Sequence, residues 1–261
     1  MASNPFNWIA RKSASFALFS LGILIAVSAP ALAGSDMPHW SYGGATNPTQ
    51  WGRLGHDFAL CEVGRDQSPI DIDDVVAGTP AEIVFDYNPV PLQVVNNGHT
   101  IQVNYAEGST VSINGDEYNL LQFHFHTPSE HTTSGQAAAM ELHLVHRNAA
   151  GELAVVGVML EAGVAHPVID TIWAHIPEEA ETKAVEDVTI NAADLLPGGV
   201  SYYSYAGSLT TPPCSEAVRW NILVEPIQVS EEQIAAFERL YPVNARPVQP
   251  TNGRIIELHL Q

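Results

Sequence analysis

From Leu120 to His126, and again from Met140 to Val145, large apolar residues alternate with polar ones, and this alternation limits the fold more than any other feature of the chain. Successive side chains of a β-strand point to opposite faces. Gln122, His124 and His126 therefore share one face, and Leu121, Phe123 and Phe125 share the other. In the second stretch Glu141, His143 and Val145 oppose Leu142, Leu144 and His146. If the two strands are neighbours, His124, His126 and His143 converge on one point. Neutral imidazole is a common zinc ligand, and three protein ligands leave a fourth position open, the mark of a catalytic zinc site. Gln122 and Glu141 each stand two residues before a proposed ligand, where they can accept the other ring N–H and orient the imidazole. A histidine in a strand is ordinarily just a half-buried residue. Here the apolar opposite face implies a sheet packed on a core, so the polar face must line water or a site. His146 faces the wrong way and is left out.

The start of the chain reads as a leader. Arg11 and Lys12 precede an apolar run from Phe16 to Val27, and Ala31-Leu32-Ala33 is an A-x-A cleavage signal. This predicts a secretory signal peptide over residues 1–33 and a catalytic domain over residues 34–261. The apolar run falls short of the roughly 20 residues a membrane span needs. The 228 residues that remain suit one large β-rich domain. Losing the leader takes two basic and no acidic residues, so the formal charge moves from −19 to −21. Such a charge argues against nucleic acid or an anionic membrane as partner. Two cysteines, Cys61 and Cys214, form an even pair in an exported chain, which points to a disulfide; two free buried thiols are the alternative.

Further alternating segments lie between turn residues: 81–87, 92–95, 100–105, 110–113, 153–160 and 220–224. Helical signals are few. Residues 167–175 form a short candidate. Residues 230–241 form a clearer one, capped by Ser230 with Gln233 three residues on and stopped by Pro242. The expected class is mainly β (α+β): a single domain with a central twisted, mostly antiparallel sheet and short peripheral helices. No exposed apolar stripe argues for a homodimer, which the sequence leaves open.

Phe123-His124-Phe125-His126, Ser129-Glu130-His131-Thr132 and Glu141-Leu142-His143-Leu144-Val145-His146 together resemble the α-class carbonic anhydrases, in particular exported bacterial members. Ser68-Pro69-Ile70-Asp71-Ile72, Asn96-Asn97-Gly98-His99, Ser208-Leu209-Thr210-Thr211-Pro212-Pro213, Trp220 and Asn244-Ala245-Arg246-Pro247 follow in the family's order. They span nearly the whole chain after residue 38. The resemblance implies a periplasmic or secreted zinc lyase that interconverts CO2 and bicarbonate by attack of zinc-bound hydroxide, with Zn2+ on His124, His126 and His143. In this family zinc is known to make hydroxide available at neutral pH. Thr210 would accept the hydroxide proton and pass its own to Glu130, which His131 would support by a hydrogen bond. Val145, Val155, Leu209, Thr211 and Trp220 would form the CO2 pocket. His99 would shuttle the proton to solvent, and Tyr42 would order water at the entrance. His126 would take a backbone carbonyl at Asn244 as its orienting partner. The resemblance also supports a Cys61–Cys214 bridge. A catalytically silent binding module would be expected to have lost a ligand, and none is lost here; a zinc esterase is the other alternative, since a zinc-bound hydroxide can attack esters as a weak side activity, but the pocket residues suggest a small apolar substrate and nothing suggests a dedicated ester pocket.

Overall fold

The computed structural model describes residues 38–261, so the leader expected over residues 1–33 lies outside the described residues. The two alternating stretches become the strands Asp116–His126 and Met140–Arg147, which pair antiparallel near the middle of a 13-stranded sheet. The main path through the sheet runs Thr182–Ile190, Val90–Asn96, Ile101–Asn104, Asp116–His126, Met140–Arg147, Leu153–Ala162, Glu216–Leu223, Tyr202–Ser208, Glu257–His259 and Val76–Ala77. Most neighbours are antiparallel. Leu153–Ala162 against Glu216–Leu223, and Glu257–His259 against Val76–Ala77, are parallel, so the sheet is mixed. Pro38–Gln261 form one compact unit.

The sheet separates two apolar layers, as period-2 alternation requires. Phe123, Phe125, Leu142, Leu144, Val156 and Val158 point into the larger core. Val155, Trp220, Ile222, Tyr205, Ile70 and Ile72 form a smaller cluster on the other face. Leu153–Ala162 is buried on both sides over most of its length, and its sequence is accordingly a near-continuous apolar run. The helices Pro167–Trp173 and Glu231–Glu238 cover the larger core with Ile169, Ile172 and Phe237. The second helix begins with the Ser230/Gln233 capping box expected from sequence. Phe125 sits with its ring centroid 4.8 Å from that of Trp173. Truncating a phenylalanine buried this completely costs about 3–5 kcal/mol, so the layer behind the histidines is a stiff support.

Two of the longer strands went unrecognised in the sequence, along with several of two or three residues. Thr182–Ile190 is an exposed edge strand carrying Lys183, Glu186 and Asp187, which hide its alternation. Tyr202–Ser208 alternates tyrosines with small residues instead of aliphatic ones. Among the described residues no helix is long and apolar enough to cross a membrane.

Candidate metal centre

Register brings the three imidazoles together. His143 lies directly opposite His124, and Glu141 opposite His126. The ring centroids are 5.0 Å apart for His124 and His126, 5.3 Å for His124 and His143, and 4.6 Å for His126 and His143. A bulge between Val145 and His146 ends the regular pairing. Beyond it His146 turns into the core, where Nε2 lies 2.7 Å from the Tyr87 hydroxyl.

Each ring spends one nitrogen on a fixed partner. His124 Nδ1 lies 2.9 Å from Gln122 Oε1, His126 Nδ1 2.7 Å from the Asn244 carbonyl, and His143 Nε2 2.9 Å from Glu141 Oε1. Carbonyl and carboxylate oxygens only accept, so these nitrogens carry the hydrogens. The free pairs of the other three nitrogens turn to a common space, and one atom from each ring lies within 4.8 Å of the others. His126 Nε2 is buried there without any partner. Burial pushes the pKa of His124 and His143 below the usual histidine range and that of His126 down to about 4. An orphaned, neutral, buried nitrogen among two others is the donor set a zinc ion accepts, and the residues fit that metal.

Glu141 organises the layer behind the rings. Its Oε1 accepts from His143 Nε2 and from His131 Nδ1 at 2.7 Å, and its Oε2 accepts from the backbone N–H groups of Glu130 and His131, both at 2.8 Å. Burial alone would raise its pKa; the facing His131 and His143 rings outweigh that and hold it well below the carboxylate range. Gly157 makes room for it, since a Cβ there would stand 2.6 Å from Ile222 Cδ1 and 3.1 Å from Glu141 Oε1. His131, Glu141 and His143 also offer atoms within 4.8 Å of one another, but those atoms are already bonded together.

The expected hydrogen bond from His131 to Glu130 is not made. Both residues give their backbone N–H to Glu141, and their side chains then part. His131 turns to Glu141 and, through Nε2, to the Tyr205 hydroxyl at 2.6 Å. Tyr205 in turn meets Ser68 Oγ at 2.8 Å. Glu130 turns toward the imidazoles and accepts the Arg246 backbone N–H on Oε1 at 2.8 Å. Its Oε2 stands 3.5 Å from His126 Nε2 and has no hydrogen-bond partner. Burial raises the Glu130 pKa to about 7 against the lowering effects of His143, the Arg246 N–H and the Thr210 hydroxyl. Thr210 thus approaches Glu130, yet no well-formed hydrogen bond reaches Oε2.

Val145, Val155, Leu209 and Trp220 meet in the smaller apolar cluster, with Val145 opposite Val155 and Val155 opposite Trp220. The Trp220 ring lies 4.8 Å from His143. Thr211 accepts the Cys214 backbone N–H on its carbonyl at 2.8 Å, and Cys214 forms the disulfide with Cys61. His99 is half-buried after the Asn97-Gly98 turn and stacks on Trp40 with centroids 3.7 Å apart. Burial, and then His39, lower its pKa. Tyr42 packs edge-on against Trp40 and Trp51. Burial raises its pKa, and so does Glu130, while Arg246 lowers it.

Three residues of this layer were missed from sequence: Ser68, Tyr205 and Arg246. Arg246 is 2 % exposed and donates from its guanidinium to Gln67 Oε1 and to the Ser68 and Cys61 carbonyls. Ser68 and Arg246 lay inside quoted motifs, but nothing in spacing assigned them partners more than 100 residues away.

A family model described as eukaryotic-type carbonic anhydrase matches residues 46–259. A carbonic anhydrase of Nostoc sp. is 45 % identical over 236 residues, covering 88 % of this chain and 89 % of its own. One from Pectobacterium atrosepticum is 42 % identical over 91 % of this chain and 98 % of its own. Among solved structures, a hyperthermostable carbonic anhydrase from an active hydrothermal vent chimney superposes with a TM-score of 0.82 at 44 % identity, covering 85 % of this chain and 100 % of that one. The Thermovibrio ammonificans α-carbonic anhydrase, complexed with the inhibitor sulfanilamide, gives 0.82 at 40 % identity over 85 % and 99 %. With a family match over most of its length and relatives above 40 % identity, set on the convergent histidines and the mixed sheet that holds them, the chain belongs to the eukaryotic-type, or α-class, carbonic anhydrase family.

Proposed function

We propose that the chain catalyses the reversible hydration of CO2 to bicarbonate and a proton, with a zinc ion held by His124 Nε2, His126 Nε2 and His143 Nδ1. One observation carries the reading: three imidazoles whose other nitrogens are already engaged turn their free nitrogens to one space. Being neutral at pH 7, they need not lose protons to bind a cation. Zinc, when bound, supplies a Lewis acid that activates water as a nucleophile near neutral pH. Every other part of the work falls to the chain. Glu141, gripped by four donors, holds His143 in one tautomer and one orientation. Thr210 Oγ accepts a hydrogen bond from the nucleophile and gives its own hydrogen to Glu130, which aims a lone pair at the CO2 carbon. Glu130 is anchored for this at Oε1, and its open Oε2 faces the imidazoles. Val145, Val155, Leu209 and Trp220, with Thr211 beside Thr210, form a wall with little to offer a polar molecule, which suits CO2. His99 takes up the released proton at its imidazole and passes it to solvent, which its lowered pKa favours. The disulfide and the leader-like residues 1–33 support export to an oxidising compartment, periplasmic or secreted.

Stopped-flow CO2 hydration with a pH indicator tests the reading on the zinc-loaded chain, the metal-stripped chain and His143→Ala. Fast hydration confined to the zinc-loaded wild type is the expected result. Stoichiometric zinc with hydration at background would overturn it.

A further inference from the structure

The turn that carries His99 is gripped by a segment 145 residues away. Within the turn, Asn97 Oδ1 accepts the backbone N–H groups of His99 and Thr100, both at 2.9 Å. Gly98 has a φ of 82°, a left-handed conformation that a side chain would strain. Asn96 ties this turn to the rest of the molecule. It is buried, and its Oδ1 accepts the Gly98 backbone N–H at 3.2 Å and the Tyr241 hydroxyl. An amide oxygen only accepts, so the hydroxyl donates, and both lone pairs are then taken. Asn96 Nδ2 donates to the Pro177 carbonyl at 3.2 Å, which fixes the way the amide faces. Tyr241 is itself held. It follows the helix Glu231–Glu238, gives its backbone N–H to the Phe237 carbonyl and packs its ring with a centroid 5.7 Å from that of Phe237. The same segment reaches the other arm of the turn. Asn244 Nδ2 donates to the His99 carbonyl at 3.1 Å and to the Phe125 carbonyl at 2.9 Å.

Residues 241–244 thus meet the turn at Asn96 and at His99, and they also meet His126, whose Nδ1 donates to the Asn244 carbonyl. One short segment therefore spaces the His99 turn from the imidazole cluster. The rate of a proton transfer depends steeply on how the two ends are placed. We propose that Tyr241, acting through Asn96, is a positioning residue that holds the His99 turn where proton release needs it. The proposal rests on the hydration reading given above. Tyr241 takes no proton itself. Without its hydroxyl, Asn96 Oδ1 keeps only the Gly98 N–H, and the turn loses its tie to the helix and the core behind it. The partners of the three imidazoles, Gln122, the Asn244 carbonyl and Glu141, are untouched by that loss. The defect therefore falls on proton release and spares the capture of CO2. Proton release is shared by all CO2 concentrations and shows in kcat, while capture at low CO2 sets kcat/KM.

Stopped-flow CO2 hydration by zinc-loaded wild type, Tyr241→Phe, His99→Ala and the double variant tests this, together with amide exchange of the metal-stripped chains followed by NMR. In dilute buffer Tyr241→Phe should lower kcat by about 10-fold. Its kcat/KM should stay within about 2-fold of wild type, and added imidazole, a proton acceptor free in solution, should restore kcat. His99→Ala should show the same split, and adding Tyr241→Phe to it should change nothing further, because both act on one step. In the metal-stripped chain the Gly98 and His99 amides should exchange about 10-fold faster in Tyr241→Phe than in wild type. An unchanged kcat, an equal fall in kcat and kcat/KM, no rescue by imidazole, or losses that add in the double variant would each overturn the proposal. So would Gly98 and His99 amides that exchange freely in the folded wild type, a result that depends on no variant. A zinc-loaded wild type without hydration would end the hydration reading and this proposal with it, whereas a fast wild type beside an unimpaired Tyr241→Phe would end this proposal alone.

Discussion

Replacing Glu141 with glutamine separates the orienting role of this residue from simple packing. The carboxylate accepts four hydrogen bonds, two imidazole N–H groups on Oε1 and two backbone N–H groups on Oε2, and the residue is wholly buried. An amide of the same shape has only one acceptor end. Whichever way it turns, its NH2 faces two donors. With the NH2 toward the backbone, the N–H groups of Glu130 and His131 are orphaned; with it toward the rings, His143 and His131 are forced out of their tautomers. Hydrogen bonds to a charged group contribute about 1.5–3 kcal/mol each, so losing two predicts a destabilisation of about 3–6 kcal/mol. Freeing His143 from its orienting carboxylate should also weaken metal affinity by about 10–100-fold. Urea unfolding of the zinc-loaded and metal-stripped forms, with zinc affinity from a competing chelator, measures both effects. A stability loss under about 1 kcal/mol with unchanged zinc affinity would refute the four-donor argument, because no amide orientation satisfies that site.

Tyr205→Phe deletes the hydroxyl between His131 Nε2 and Ser68 Oγ. It should cost about 1–3 kcal/mol in urea unfolding, and a neutral result would mean water replaces the hydroxyl. Cys61→Ser with Cys214→Ser opens a bridge between positions 153 apart, for which the chain-entropy model gives about 5 kcal/mol. Unfolding midpoints no lower than those of the oxidised wild type would contradict it. Glu130, with its pKa raised to about 7 before metal binds, should give up its proton to an arriving divalent charge. Calorimetric zinc titrations at pH 6 should therefore release about one proton more in wild type than in Glu130→Gln, a difference that fades by about pH 8. His146, whose pKa burial lowers to about 3, gives a sign for acid lability. Below about pH 6.5 the unfolded chain takes up a proton that the native ring refuses until about pH 3. Stability present above pH 6.5 should thus fall toward pH 3 at roughly 1.4 kcal/mol per unit from this residue, and His146→Leu should flatten that stretch of the zinc-loaded profile.

The candidate metal centre could be read from sequence because the three histidines that would hold the ion are encoded locally. Two strands with period-2 alternation fix which side chains share a face, and one pairing register then places His143 opposite His124. Gln122 and Glu141 stand near their rings for the same reason, since residues two apart on a strand lie on the same side. The support behind that centre could not be read in this way. Tyr205 reaches His131 across 74 positions, and Arg246 reaches Glu130 across 116, through contacts that depend on where whole strands and loops settle. His131 shows the limit most clearly. Its place next to Glu130 suggested a partner by adjacency, yet two neighbouring backbone N–H groups share one Glu141 oxygen, and that shared anchor sends the adjacent side chains to different sites. Local alternation therefore names the groups that would do the chemistry, while long-range packing decides which of them are held still enough to do it.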